Sequence, residues 1–96
     1  MKTKMLEEVA NFLGAYFHQD MESPEQAFDE FLAEETNAAL HSTMIQCNAF
    51  LASDMSDEEK NDFIWQHAEI NFSHLGLSPL QWLTNLTEEM KKAVVE

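Results

Sequence analysis

Residues 13–21 read LGAYFHQDM and contain the end of the first predicted helix. Apolar residues at i, i+3 and i+4 spacing predict an amphipathic helix leading into this stretch. They are Leu6, Val9, Phe12, Leu13 and Tyr16. The helix is expected to end near Phe17, because residues 18–22 are mostly polar and Pro24 follows. The polar cluster at residues 18–22 is therefore a helix end, a binding edge or a catalytic centre. The rest of the sequence is needed to distinguish these three interpretations.

Four further helices are predicted from capping patterns. Ser23 precedes a proline and is predicted to form a capping box with Gln26, and residues 78–81 repeat this Ser-Pro start. Thr36 or Asn37 can cap a third helix, and Ser56 begins a capping box for a fourth. The fourth helix is expected to include Phe72 and to stop before Gly76.

Apolar residues at helical spacing predict the buried sides of these helices. They are Ala27, Phe28, Phe31 and Leu32; Leu40, Met44, Cys47, Phe50 and Leu51; Phe63, Ile64 and Ala68, with Trp65 and Phe72 extending the apolar surface; and Trp82, Leu83, Leu86 and Met90. Cys47 is interpreted as a small core residue. With short connections, the pattern predicts one all-α domain over residues 1–96, a compact bundle of about five short helices.

Composition restricts the possible partners. The chain of 96 residues has only two glycines and two prolines, which is low for a sheet protein. Eighteen acidic residues stand against five lysines and no arginine, so the formal net charge is −13. This charge argues against binding nucleic acid or an anionic membrane, because both need cations to neutralise phosphate. It favours a basic protein partner.

The sequence contains no pattern that predicts a membrane span, a metal site or a cofactor. The start, MKTKMLEEVANFL, is not typical of a signal peptide, and no apolar run approaches the ~20 residues of a membrane span, so a cytoplasmic location is expected. His18, His41, His67 and His74 lack the spacing of zinc or di-iron ligands. No cofactor and no enzymatic activity are therefore expected.

Carboxylates recur at like-charge spacing on two helices. The pairs four residues apart are Glu25–Asp29 and Glu30–Glu34 on the second helix, and Glu58–Asp62 on the fourth. Each such pair costs about 0.2–0.5 kcal/mol of helix stability. Two interpretations remain open. The acids form a solvated face that keeps the chain soluble, or they form a docking surface for a cationic protein, on which binding relieves the repulsion.

Three segments carry a family resemblance. FLGAYFHQDM at residues 12–21, SPEQAFDEFLAEE at residues 23–35 and GLSPLQWLTNL at residues 76–86 resemble the immunity proteins of bacterial contact-dependent growth inhibition (CDI) systems. The likeness spans nearly the whole chain and is least distinctive in the middle helix. The motif residues are Leu13, Gly14, Tyr16, Phe17, Asp20 and Trp82. Met21 departs from the family pattern, which usually has an aromatic residue there.

The resemblance implies a small cytoplasmic helical protein without catalytic activity, which binds the toxic C-terminal domain of a cognate effector, often a nuclease. The motif is then expected to be structural. Tyr16 and Phe17 should pack at the helix end, and Gly14 should allow close approach of a neighbouring helix. Asp20 should accept backbone hydrogen bonds in the turn or help to cap the second helix.

Three hypotheses follow. In the first, an immunity protein inhibits a basic toxin, with carboxylates that mimic phosphates in the active site or that block access beside it. Its candidate toxin-binding residues are Glu22, Glu25, Asp29, Glu30, Asp57, Glu58 and Asp62. In the second, Tyr16, His18 and Asp20 surround a concave pocket of a small enzyme or ligand-binding bundle. In the third, the chain is a scaffold for a basic protein unrelated to toxins.

Overall fold

The computed structural model describes residues 2–18 and 20–94. This part of the chain forms six α-helices and no strand. The helices are α1 (Lys2–Tyr16), α2 (Pro24–Glu34), α3 (Asn37–Leu51), α4 (Asp57–His67), α5 (Phe72–Leu75) and α6 (Pro79–Ala93). The all-α prediction is confirmed, and the short helix α5 is the one element that the sequence did not predict.

Side-chain caps begin four of the helices, as their sequence patterns predict. Ser23, Thr36, Ser56 and Ser78 each accept a hydrogen bond from the backbone N–H three residues later, at 3.0–3.1 Å. Thr36 is therefore the cap of α3. At Ser56 and Ser78 the reciprocal bond of the capping box is also present, whereas the predicted box at Ser23 is limited to the bond from the Gln26 N–H. Each cap stabilises its helix by about 1 kcal/mol.

Helix α4 ends at His67, nine residues before Gly76, so its predicted length is wrong. Burial explains the difference. Ala68, Ile70 and Phe72 are buried, whereas the residues between them are exposed, and this alternation belongs to extended backbone. The backbone N–H of Glu69 donates to the carbonyl of Phe17 at 2.7 Å, which ties this segment to the end of α1.

Four helices pack in a ring around the core. Helix α1 packs against α3, α3 against α6, α6 against α4 and α4 against α1. Helix α2 makes less extensive contacts, to α1 and α6. The largest fully buried side chains are Val9, Leu13, Phe17, Phe31, Cys47, Phe50, Ile64, Leu83, Thr87 and Met90. Burial raises the pKa of the Cys47 thiol to about 12, so this cysteine is an inert core residue.

Aromatic side chains join the end of α1 to α2 and α6. The Phe31 ring on α2 lies edge-on to Phe12 at 4.7 Å and to Tyr16 at 5.2 Å between ring centroids. The Phe17 ring meets Trp82 of α6 at 4.8 Å and 87°. Such edge-to-face pairs contribute about 0.5–1.5 kcal/mol each beyond the buried area. The two contacts of Phe31 fix the position of α2 against α1.

Candidate functional site

The carboxylates that the sequence singles out are all exposed, but they do not form one patch. They are Glu22, Glu25, Asp29, Glu30, Asp57, Glu58 and Asp62. Five of them line concave surfaces on different parts of the molecule, Asp29 two such surfaces, and Asp57 and Glu58 lie in the first turn of α4. Helix α2 separates its own acids, because side chains at positions 25 and 29 point to a different flank from those at 30 and 34.

The first surface is a polar hollow of about 350 Å³ between the end of α1 and α2, here termed the α1–α2 hollow. It contains four carboxylate side chains and no lysine in its lining. The lining residues are Ala15, Tyr16, His18, Asp20, Met21, Glu22, Gln26, Ala27, Glu30 and Glu34. It is the concave pocket that the enzyme hypothesis expects around Tyr16, His18 and Asp20.

Tyr16 has a structural contact in this hollow. Its hydroxyl donates to Glu35 Oε1 at 2.9 Å, which links the last turn of α1 to the C-cap of α2. Burial, the hydrogen bond to Glu35 and nearby glutamate charges raise the pKa of Tyr16 to about 12. The phenol is therefore protonated at neutral pH and acts as a hydrogen-bond donor to Glu35.

The turn after α1 is built differently from the expectation for Asp20. The backbone N–H of Asp20 donates to His18 Nδ1 at 3.2 Å, so the residue contributes through its backbone. Within residues 2–18 and 20–94, the Asp20 carboxylate accepts no hydrogen bond and lies exposed to solvent. The expectation for Gly14 is also wrong, because a Cβ at this exposed position would meet nothing within 4 Å.

The second surface is a groove of about 440 Å³ between α2 and α6, here termed the α2–α6 groove. Glu25 and Asp29 lie at its edge, and the rest of its lining is apolar. The apolar residues are Pro24, Phe28, Leu75, Leu77, Trp82 and Leu86. This groove therefore combines carboxylates with a hydrophobic floor, unlike the α1–α2 hollow.

The third surface is a groove of about 450 Å³ beside α4 and α5, here termed the α4–α5 groove. It is lined by Asn61, Asp62, Trp65, Asn71, Phe72, Ser73 and Pro79. Trp65 is 66% exposed. Lys60, the only lysine of α4, is 6% exposed and donates from Nζ to the Leu51 carbonyl at 2.7 Å, so it points away from this acidic surface.

The sequence did not identify Trp65 as a functional candidate. It follows Phe63 and Ile64 in an apolar run, and such a run indicates a core position more often than an exposed one. The one available signal is its spacing of three residues from Asp62, which places the indole beside a carboxylate on the helix surface.

Comparison with known protein families shows which family the chain is related to. A family model described as CdiI immunity protein matches residues 5–90. The chain belongs to the CdiI immunity protein family. Membership confirms the resemblance carried by residues 12–35 and 76–86. No curated protein and no solved structure matches this CdiI family member.

Two further observations concern the described part of this CdiI family member. Among residues 2–18 and 20–94, no three histidine, cysteine or acidic side chains are grouped so that they could hold a metal ion. None of the helices in these two ranges has both the length and the hydrophobicity that crossing a bilayer requires. The α1–α2 hollow, the α2–α6 groove and the α4–α5 groove together contain five of the seven candidate carboxylates.

Proposed function

We propose that this CdiI family member neutralises the C-terminal toxin domain of a cognate CDI effector by tight, stoichiometric binding in the cytoplasm, without transforming a substrate. The observation that carries the proposal is the family match over residues 5–90. The arginine-free composition and the net charge of −13 support a basic toxin as the partner.

The chemistry of the partner follows from the acidic surface. A nuclease must hold phosphates and therefore has a cationic active site, and carboxylates on a rigid helix can pair with its Arg or Lys side chains. The toxin is proposed to be a nuclease for this reason. Occupation of the active site and obstruction of substrate entry beside it both use the same charge complementarity.

Unneutralised carboxylates support binding over a purely solubilising role. Helix α2 contains no lysine, and the single lysine of α4 is turned inward to the Leu51 carbonyl. By contrast, Lys91 and Lys92 at the end of α6 form exposed ion pairs with Glu88 and Glu89 at 3.7 and 3.6 Å. The repulsion on α2 and α4 is relieved when a cationic partner binds, and the same field accelerates the encounter.

Co-expression tests the proposal. The full chain is produced together with the toxin domain of the effector whose gene lies beside its own, and cell viability and copurification are measured. We expect survival and a complex of one chain with one toxin domain, whereas a toxin domain from a non-cognate effector should still kill. Failure to rescue the cells, or turnover of a small molecule by the purified chain alone, contradicts the proposal.

A further inference from the structure

The α2–α6 groove and the α4–α5 groove each include a residue of α5 in their lining. Leu75, at the end of this helix, lines the α2–α6 groove, and Phe72, at its start, lines the α4–α5 groove. Helix α5 is only four residues long, so the grooves are neighbours. Glu25 and Asp29 border one groove and Asp62 borders the other, and the three carboxylates therefore flank the same short helix.

Exposed hydrophobic residues are concentrated in the same place. In the described part of the chain, the large hydrophobic side chains that remain exposed are Trp65 at 66%, Ile45 at 45% and Leu75 at 37%. Trp65 and Leu75 line the two grooves beside α5, whereas Ile45 lies on α3 and lines neither. Exposed aromatic residues on a rigid surface are the commonest anchors of protein interfaces.

The grooves are held in place by contacts of their own. The Phe72 ring lies edge-on to Trp82 at 5.5 Å, which fixes the start of α5 against α6. Asn61 Oδ1 accepts from the backbone N–H of Leu80 at 2.8 Å and joins α4 to the start of α6. Gly76 ends α5 with φ +70°, a conformation suited to glycine. A partner therefore meets a preformed surface and loses little affinity to ordering it.

We propose that the toxin binds across α5, with Trp65 and Leu75 as apolar anchors between Asp62 on one side and Glu25 and Asp29 on the other. This docking face is termed the α5 face. Its assignment rests on the proposed function and uses three of the seven candidate carboxylates. The complementary surface carries an arginine that stacks on the Trp65 indole and pairs with Asp62, one helical turn away.

Charge selects a basic partner over a second copy of the chain. Two copies would each bring a net charge of −13 to the contact, and the carboxylates on both sides of α5 would face other carboxylates. A guanidinium matches both groups that the α4–α5 groove offers, because it stacks on an aromatic face and pairs with a carboxylate at once. Among cationic side chains, arginine therefore fits the α5 face best.

Substitutions at three exposed residues, two on the α5 face and one outside it, test this proposal. Affinity for the neighbouring toxin domain is measured by calorimetry for the full chain and for Trp65→Ala, Asp62→Lys and Ile45→Ala. Trp65→Ala should raise Kd about 30-fold or more, because central aromatic anchors dominate interface energies. Asp62→Lys should raise Kd at least about tenfold, whereas Ile45→Ala should stay within about threefold of the unmodified chain. Circular dichroism and thermal melts confirm that each variant is folded.

The results distinguish failure of the α5 face from failure of the proposed function. If the unmodified chain binds the toxin and both Trp65→Ala and Asp62→Lys bind equally well, the α5 face is overturned and the proposed function stands. If the unmodified chain does not bind the toxin, both proposals fail. If sedimentation shows a dimer of the free chain that Trp65→Ala abolishes, the α5 face belongs to self-association and the assignment to the toxin is overturned.

Discussion

Two acidic regions of this molecule differ in what surrounds their carboxylates. The α1–α2 hollow contains Asp20, Glu22, Glu30 and Glu34 in a lining that is mostly polar, and its Tyr16 hydroxyl is bonded to Glu35. The α5 face has carboxylates beside exposed apolar side chains. Acidic charge is therefore spread over the surface, whereas Trp65 and Leu75, two of the three exposed large hydrophobic side chains of the described residues, belong to the α5 face. Such anchors give a docking site its affinity.

Alanine substitutions at two aromatic residues should differ strongly in their effect on the free energy of unfolding, because one ring is buried in the core and the other is exposed. Phe17→Ala should lower the free energy of unfolding by about 3–5 kcal/mol, because the fully buried ring packs against Phe12 and Trp82. Trp65→Ala should change it by less than about 1 kcal/mol, since the side chain is largely exposed. Urea unfolding followed by circular dichroism measures both. Equal losses from the two variants would remove the contrast between the regions.

Helix starts and the all-α class could be predicted because their signals are local. The Ser-Pro starts at Ser23 and Ser78 and the capping box at Ser56 depend only on neighbouring residues, and each forms as expected. The extended segment after α4 was missed, although the alternation of Ala68, Ile70 and Phe72 was visible in the sequence. A helical pattern in the preceding residues outweighed it.

The grouping of the acids could not be predicted, since it depends on which helices meet. Spacing shows that Glu25 and Glu30 lie on different flanks of α2, but not which flank faces α1 and which faces α6. Lys60 illustrates the same limit. Its neighbours in sequence are acidic, yet its ammonium group turns to the Leu51 carbonyl, a partner nine residues away on another helix.

Glycine substitutions give a smaller effect and test the role of the family motif near the α1–α2 hollow. Gly14→Ala should stabilise the fold by about 0.5–1 kcal/mol, because the helical position has open space for a methyl group. Gly76→Ala is the matched control and should destabilise it by about 1–2 kcal/mol, since φ is +70° there. Thermal melts of both variants give the signs. A loss of stability in Gly14→Ala would show that the last turn of α1 needs this glycine.

The hydrogen bond between Tyr16 and Glu35 gives an effect on stability that is confined to high pH. The pKa of Tyr16 is raised from 10.0 to about 12, so the folded state holds the phenolic proton more tightly than the unfolded chain. The corresponding stability is present below pH ~10 and is lost as the pH rises through ~12. Because Tyr16 is the only tyrosine, its absorbance near 295 nm reports the titration directly.

Glu35→Gln provides the control for this titration. It removes the carboxylate charge, so the Tyr16 midpoint should fall towards 10, while burial, the largest cause of the shift, keeps it above that value. A midpoint near 10 in the unmodified chain would mean that the contact between α1 and the C-cap of α2 does not form. The polar lining of the hollow would then be free to serve a ligand, and the contrast with the α5 face would weaken.

Charge reversal on the two flanks of α2 is the most direct test of whether the toxin binds the α5 face. Glu25→Lys with Asp29→Lys and Glu30→Lys with Glu34→Lys alter the same helix, at the same spacing, with the same change from a net charge of −13. Affinity for the neighbouring toxin domain is measured at low and high salt. We predict that Glu25→Lys with Asp29→Lys raises Kd at least about tenfold. Glu30→Lys with Glu34→Lys should raise Kd less than about threefold, because it weakens only the long-range attraction between the two proteins. Equal losses from both variants, or a larger loss from the second, would contradict the assignment of the toxin to the α5 face.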